Sequence, residues 1–189
     1  MDVLDAIRSR RSIHRFKADP VPKEDLEAAL SFGAWAPNHH LTEPWRFTVL
    51  GREAKEKLAQ RYRELAIGKV KGPVDEENRA KIGKAGYDKF HSQPAIVAVS
   101  TLRGDDAQQV REDYAATCCA VQNIQLAAWS KGIGVKWSTG PITMEEGTYR
   151  LLGIDPDGED IIGFLYIGYP SETPKSKRGP LSEVLRWTA

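Results

Sequence analysis

Apolar positions near the start of the chain recur at helical spacing, with Val3, Leu4 and Ile7 on one face, until Arg8, Arg10 and Arg11 end the pattern. A short helix beginning near Val3 is therefore expected to give way to an extended segment around Arg10-Arg11-Ser12. Pro20 and Pro22 mark a loop, and the acidic turn at Glu24 and Asp25 opens a helix through Leu26, Leu30 and Phe32 that Pro37 stops. Residues 46–50 read as a strand and 53–67 as an amphipathic helix. A Gly- and charge-rich connector over 68–77 follows, either a variable segment beside a substrate opening or a plain surface loop. A helix over 79–90 ends before Pro94, and the Val-rich run 95–101 has the character of a core strand. Residues 107–131 predict a helix of roughly 37 Å at 1.5 Å per residue. Its centre, 114–121, is small or apolar on nearly every side, which predicts burial all round. Gly132 caps it, 135–139 is a strand, 144–152 a short helix, 161–167 a second buried strand, and the tail from Pro170 is irregular. Helices and strands without strict alternation or repeats point to an α+β fold, a mixed central sheet flanked by helices, as one domain over 1–189.

Composition narrows the function classes. The 189 residues carry a formal net charge of +1, with 41% apolar and 28% charged residues, so no basic surface broad enough for nucleic acid or an anionic membrane is expected. Any cationic site must be local. Cys118 and Cys119 are neighbours on one helix and have no further Cys or His at ligand spacing, so reduced thiols buried in packing are expected. No secretory apolar segment follows Met1-Asp2 and no run nears the ~18 residues that span a bilayer, so a cytoplasmic location is expected.

The chemistry concentrates in three places. Arg10-Arg11-Ser12 offers two guanidinium forks and a hydroxyl, donors suited to a phosphate monoester. The segment Ala36-Pro37-Asn38-His39-His40-Leu41-Thr42-Glu43-Pro44-Trp45-Arg46-Phe47 leads from a helix into a strand. The tail reads Lys175-Ser176-Lys177-Arg178-Gly179-Pro180-Leu181. No Gly-x-Gly-x-x-Gly turn lies between a strand and a helix, which argues against a dinucleotide on a Rossmann unit. A single phosphate held by side chains needs no such loop. His39 and His40 lack a third ligand at recognisable spacing, since His14 and His91 stand alone, so no metal is expected. Hydrolase elbows and Walker loops are absent.

In order, the Arg-x-Ser run, the Pro-Trp-x-Phe step and the basic segment ahead of Pro-Leu resemble the FMN-dependent nitroreductase family, most closely its short members. The resemblance implies a homodimer that packs the long helix against its symmetry mate, with the tail 170–189 on the partner subunit. It implies FMN as cofactor and NAD(P)H as co-substrate. Hydride would pass from NAD(P)H through FMN to nitroaromatic, quinone or similar small-molecule acceptors in a ping-pong cycle, with no catalytic side chain. Residue by residue, it implies that Arg10, Arg11, Ser12 and Arg178 hold the phosphate and ribityl end, with Lys177 in support. Trp35 and His39 fall at flavin-contacting positions, although core packing remains open for Trp35. Trp137, Ser138, Thr139 and Gly140 fall in the segment that approaches the flavin, with a plain strand-to-turn junction as the alternative. Leu41 and Glu43 depart from the family's Asn and Gln in this loop, leaving Asn38 as a candidate replacement for the ring-contacting amide. The departure keeps open a specialised relative, such as a reductive dehalogenase, a flavin-fragmenting enzyme or a flavin-dependent dehydrogenase, and a non-catalytic flavin-binding protein.

Overall fold

The computed structural model describes residues 1–188. Along the chain run α1 (Val3–Ser9), α2 (Lys23–Gly33), β1 (Trp45–Val49), α3 (Arg52–Gly68), α4 (Glu76–His91), β2 (Ala95–Leu102), α5 (Ala107–Ser130), β3 (Gly134–Ser138), α6 (Glu146–Leu152) and β4 (Glu159–Gly168). The α+β expectation holds. The four strands form one sheet in the order β1-β2-β4-β3, and every neighbouring pair is antiparallel. A mixed sheet was expected. The only parallel pairing among the described residues is an isolated bridge between Ser12 and Val135, which lays the segment after α1 along the outer edge of β3. The reason is connectivity. The hairpin of α3 and α4 returns the chain to the end of the sheet it left, and β4 inserts between the co-directional β2 and β3.

Side chains alternate across the central strands and build a core on each face. Val97 and Val99 of β2 and Leu165 and Ile167 of β4 meet Leu26 and Ala29 of α2 and Val121, Ile124 and Ala128 of α5. On the other face, Ile96, Ala98, Phe164 and Tyr166 meet Leu58 and Ala59 of α3 and Phe90 of α4. Helix α2 lies so close to α5 that a Cβ on Gly33 would sit 2.9 Å from the side chains of Ile124 and Phe47, which a larger residue would have to displace.

Several boundaries move for identifiable reasons. Helix α1 stops at Ser9, which leaves Arg10 as its cap and Arg11 and Ser12 outside it. Helix α4 begins at Glu76 because the Asp75 carboxylate accepts from the Asn78 backbone N–H at 2.8 Å, shortening the connector to 69–75. Asp106 caps α5 in the same way, accepting from the N–H groups of Gln108 and Gln109. Helix α5 is not buried all round within one chain. Thr117, Ala120 and Val121 face the core, but Tyr114, Ala115 and Cys119 lie on an exposed face and Cys118 is half-buried. The expectation of two buried thiols therefore fails for the single chain. Among the described residues no helix is long and apolar enough to cross a membrane, and no cluster of His, Cys, Asp and Glu suits a metal ion.

Candidate functional site

Arg10 leaves α1 in an extended conformation, and the following residues run beside β3, where the Ile13 N–H donates to the Val135 carbonyl at 3.3 Å. A Cβ on Gly134 would fall 2.5 Å from Ile13 Cγ1, so the glycine permits this approach. Arg10 is half-buried. Its Nη1 reaches Gln125 Oε1 of α5 at 3.4 Å, and its Nε is buried with no hydrogen-bond partner. Burial first, then the charges of Arg178 and Arg11, lower its pKa from the ordinary arginine value. Arg11 donates to the carbonyls of Arg8 and Arg10 at 2.7 and 2.8 Å. Arg178, exposed in the tail, donates to Ser176 Oγ and to the Lys177 carbonyl. No carboxylate pairs with any of the three guanidinium groups among the described residues. A buried orphan donor costs about 1–3 kcal/mol, and three like charges repel one another. An anion at this spot removes both penalties.

Strand β3 leads from that cationic end to the segment 137–140. The Trp137 indole N–H donates to the Ile162 carbonyl at 3.2 Å, and its ring packs into the core on the α5 side. That carbonyl is available because β4 bulges at Ile162 opposite Val99 and Ser100. Gly163, at φ +156°, is required here: a Cβ would lie 2.2 Å from Trp137 Nε1. The Trp137 side chain is thus committed to the sheet, and only its backbone remains to meet a ligand. Ser138 lies on the side of the sheet where the hydroxyl of Tyr166 meets that of Tyr62 at 3.1 Å. Gly140 is different, because a Cβ there would meet nothing within 4 Å in this chain. Thr139 and Gly140 border a cleft of about 830 Å³, with Val110, Arg111 and Tyr114 of α5 and Met144 on its other walls.

The third group lies apart. Trp35 is 82% exposed just after α2, so core packing does not explain it. His39 Nδ1 lies 2.8 Å from Glu112 Oε2, in the N-terminal half of α5, whereas Arg10 reaches Gln125, thirteen residues further along the same helix. At 1.5 Å per residue the two groups are separated by about 20 Å. Within one chain the structure brings Arg10, Arg11, Ser12 and Arg178 together at one end of β3 and puts 138–140 at its other end, while Trp35 and His39 stand elsewhere. The loop of His39 is held by its own contacts. The Glu43 N–H donates to Asn38 Oδ1 at 3.0 Å and Asn38 Nδ2 to the Ala36 carbonyl at 3.3 Å, so both ends of the Asn38 amide are occupied. Asn38 is a staple of this loop, with one N–H and one lone pair of its amide left over. Sequence reasoning missed Gln125, Glu112 and Asp113. The signal available for Gln125 and Asp113 was a buried polar residue inside an otherwise apolar helical face.

Known proteins resemble this chain in sequence and fold over most of its length. The model of the nitroreductase family matches residues 7–169. YfhC of Bacillus subtilis (strain 168), provisionally named as an NAD(P)H nitroreductase, is 34% identical over 181 residues, covering 95% of this chain and 90% of its own. A crystal structure of a nitroreductase-like family protein from Bacillus cereus superposes with a TM-score of 0.83 at 34% identity, covering all of this chain and 96% of its own. A second structure, an FMN complex from Desulfovibrio desulfuricans also provisionally named as a nitroreductase, gives 0.74 at 26% identity, with 100% and 98% covered. Matched over most of its length by the family model and by a relative above 30% identity, the chain belongs to the nitroreductase family.

Proposed function

We propose that this protein is a homodimeric FMN-dependent NAD(P)H oxidoreductase acting on nitroaromatic, quinone or similar electrophilic acceptors. The observation that carries the reading is the half-buried Arg10, whose Nε has no partner, beside Arg11 and Arg178 with no neutralising carboxylate. A phosphate monoester fits this donor set, since guanidinium forks pair with phosphate oxygens by short charge-assisted bonds. FMN supplies the redox chemistry when bound, taking hydride from NAD(P)H and returning electrons to the acceptor. The residues of this chain bind and orient. Arg10, Arg11, Ser12 and Arg178 hold the phosphate end, and the backbone at 138–140, with the open space at Gly140, admits the ring.

Trp35 and His39 join the same site only if a second copy provides them. That requirement, together with the exposed Tyr114 and Cys119 on α5, supports a dimer built on α5 with each site drawn from both chains. The tail adds exposed Leu181, Val184 and Trp187, which suit packing of 170–189 on the partner. The chain acts as one domain in this reading.

The test is an anaerobic titration of FMN-reconstituted protein with NADPH and with NADH, followed through the flavin absorbance. Bleaching within seconds by either nucleotide, then recovery on adding a nitroaromatic or quinone, is the expected result. Flavin that both nucleotides leave oxidised, but that turns over with one specific metabolite, would transfer the reading to a specialised relative. Absence of FMN binding would defeat it.

A further inference from the structure

The loop 38–43 has a backbone that its sequence does not favour. His40, Leu41 and Glu43 all have positive φ, at 54°, 55° and 43°, and none is glycine. Consecutive carboxylates on α5 hold it. Buried Asp113 accepts from Thr42 Oγ1 at 2.6 Å, and Glu112 meets His39 Nδ1 at 2.8 Å. The second Glu112 oxygen accepts from Gln108 Nε2 at 2.9 Å, so both oxygens of this carboxylate are fixed. The bond from Gln108, followed by that from His39, holds the Glu112 carboxyl below its ordinary range. The ring of His40 lies 4.0 Å from that of His39, centroid to centroid, and limits its rotation.

We infer that Glu112 is a positioning residue for His39, fixing the imidazole as the Nδ1–H tautomer and presenting Nε2 as a hydrogen-bond acceptor to the bound ligand. An ionised carboxylate only accepts, so the nitrogen facing it must carry the hydrogen, and in a neutral ring the other nitrogen is then bare. The ligand group met by His39 is therefore an N–H or O–H donor rather than a carbonyl. The placement of His39 against the cofactor rests on the function proposed above; its tautomer does not.

The experiment uses apo protein labelled with 15N-histidine at pH 8, with long-range proton–nitrogen spectra and His39 assigned by its loss in His39→Asn. Free histidine prefers the Nε2–H form, so an Nδ1–H signal for His39 is the informative expectation. Glu112→Ala should return His39 to the Nε2–H form and raise the FMN dissociation constant about tenfold, the size expected from one misplaced hydrogen bond. Glu112→Gln keeps an acceptor oxygen and should retain the Nδ1–H form and most of the affinity, which a merely structural role for the charge would not do. An Nε2–H signal in the wild-type protein, or no change in Glu112→Ala, overturns the inference. Unaltered FMN affinity in His39→Ala, with the tautomer as expected, would instead overturn the placement of His39 at the cofactor.

Discussion

The two faces of the sheet are finished differently. On one, α3 and α4 close over Phe90, Phe164 and Tyr166 with the chain's own residues, and Phe90 touches three aromatic rings at once: stacked on Tyr62 at 4.8 Å and edge-on to Phe164 at 5.7 Å and Tyr166 at 5.8 Å. On the other, α5 buries Thr117, Ala120, Val121 and Ile124 inward and leaves Tyr114 and Cys119 outside. The first face is a completed core. The second leaves part of α5 uncovered within this chain, and Arg10 and His39 both reach α5 from that side, at Gln125 and Glu112, whereas Ser138, Thr139 and Gly140 also approach Tyr62 and Leu65 on the closed face. The closed face is finished by the chain's own aromatic rings, the other leaves an α5 surface open, and 138–140 touches both.

The largest perturbation of this contrast is Phe90→Ala, which should cost about 3–5 kcal/mol of folding stability in thermal or denaturant unfolding and leave the affinity of the folded fraction for FMN unchanged. Next, Cys119→Arg puts a charge on the outer face of α5. It should weaken dimerisation by a hundredfold or more, as about 3 kcal/mol of unpaired buried charge implies, and sedimentation should show folded monomer. A Cys119→Arg protein that remains dimeric would place the interface elsewhere. Arg10→Ala should weaken FMN binding by about 1.5–3 kcal/mol, read by equilibrium fluorescence, with unfolding of the apo protein little changed because an orphaned donor disappears with the side chain. The smallest effect concerns alkaline pH on the closed face. Burial, above all, raises the phenols of Tyr62 and Tyr166 above the ordinary value near 10. The unfolded chain then releases those protons first, so stability is complete below about pH 10 and falls as pH rises beyond it. Tyr62→Phe/Tyr166→Phe should flatten that fall in unfolding curves at pH 9 and 11.

Much of the architecture was legible because β2 and β4 each hold a run of apolar residues, over 95–99 and 161–167, and because α2 and α3 carry apolar residues at helical spacing. Strand direction was not. An antiparallel strand covered on both faces has the same unbroken apolar pattern as a parallel one, and only the return through the α3–α4 hairpin decides the matter. The environment of α5 was misread for a related reason. Small residues such as Ala115 and Cys119 look the same whether a face meets its own core or another surface. In the candidate site, the Arg10-Arg11-Ser12 cluster and its pairing with Arg178 were visible as charge and motif. The left-handed turns at His40, Leu41 and Glu43 were hidden, since no glycine marks them, and so were the bonds that Asn38 makes within that loop. The place of the Trp137 indole was also hidden, because its partner is a carbonyl freed by a bulge in β4, 25 residues further along the chain.

The separation of about 20 Å along α5 between the contacts of Arg10 and His39 has a genetic corollary. If each site takes its arginine from one subunit and its histidine from the other, an Arg10→Ala parent and a His39→Ala parent both have two damaged sites. Their mixed dimer has one site bearing both lesions and one bearing neither. Random reassortment of the two defective proteins then restores about a quarter of all sites to wild type, so two lesions that are silent about each other in sequence complement in trans.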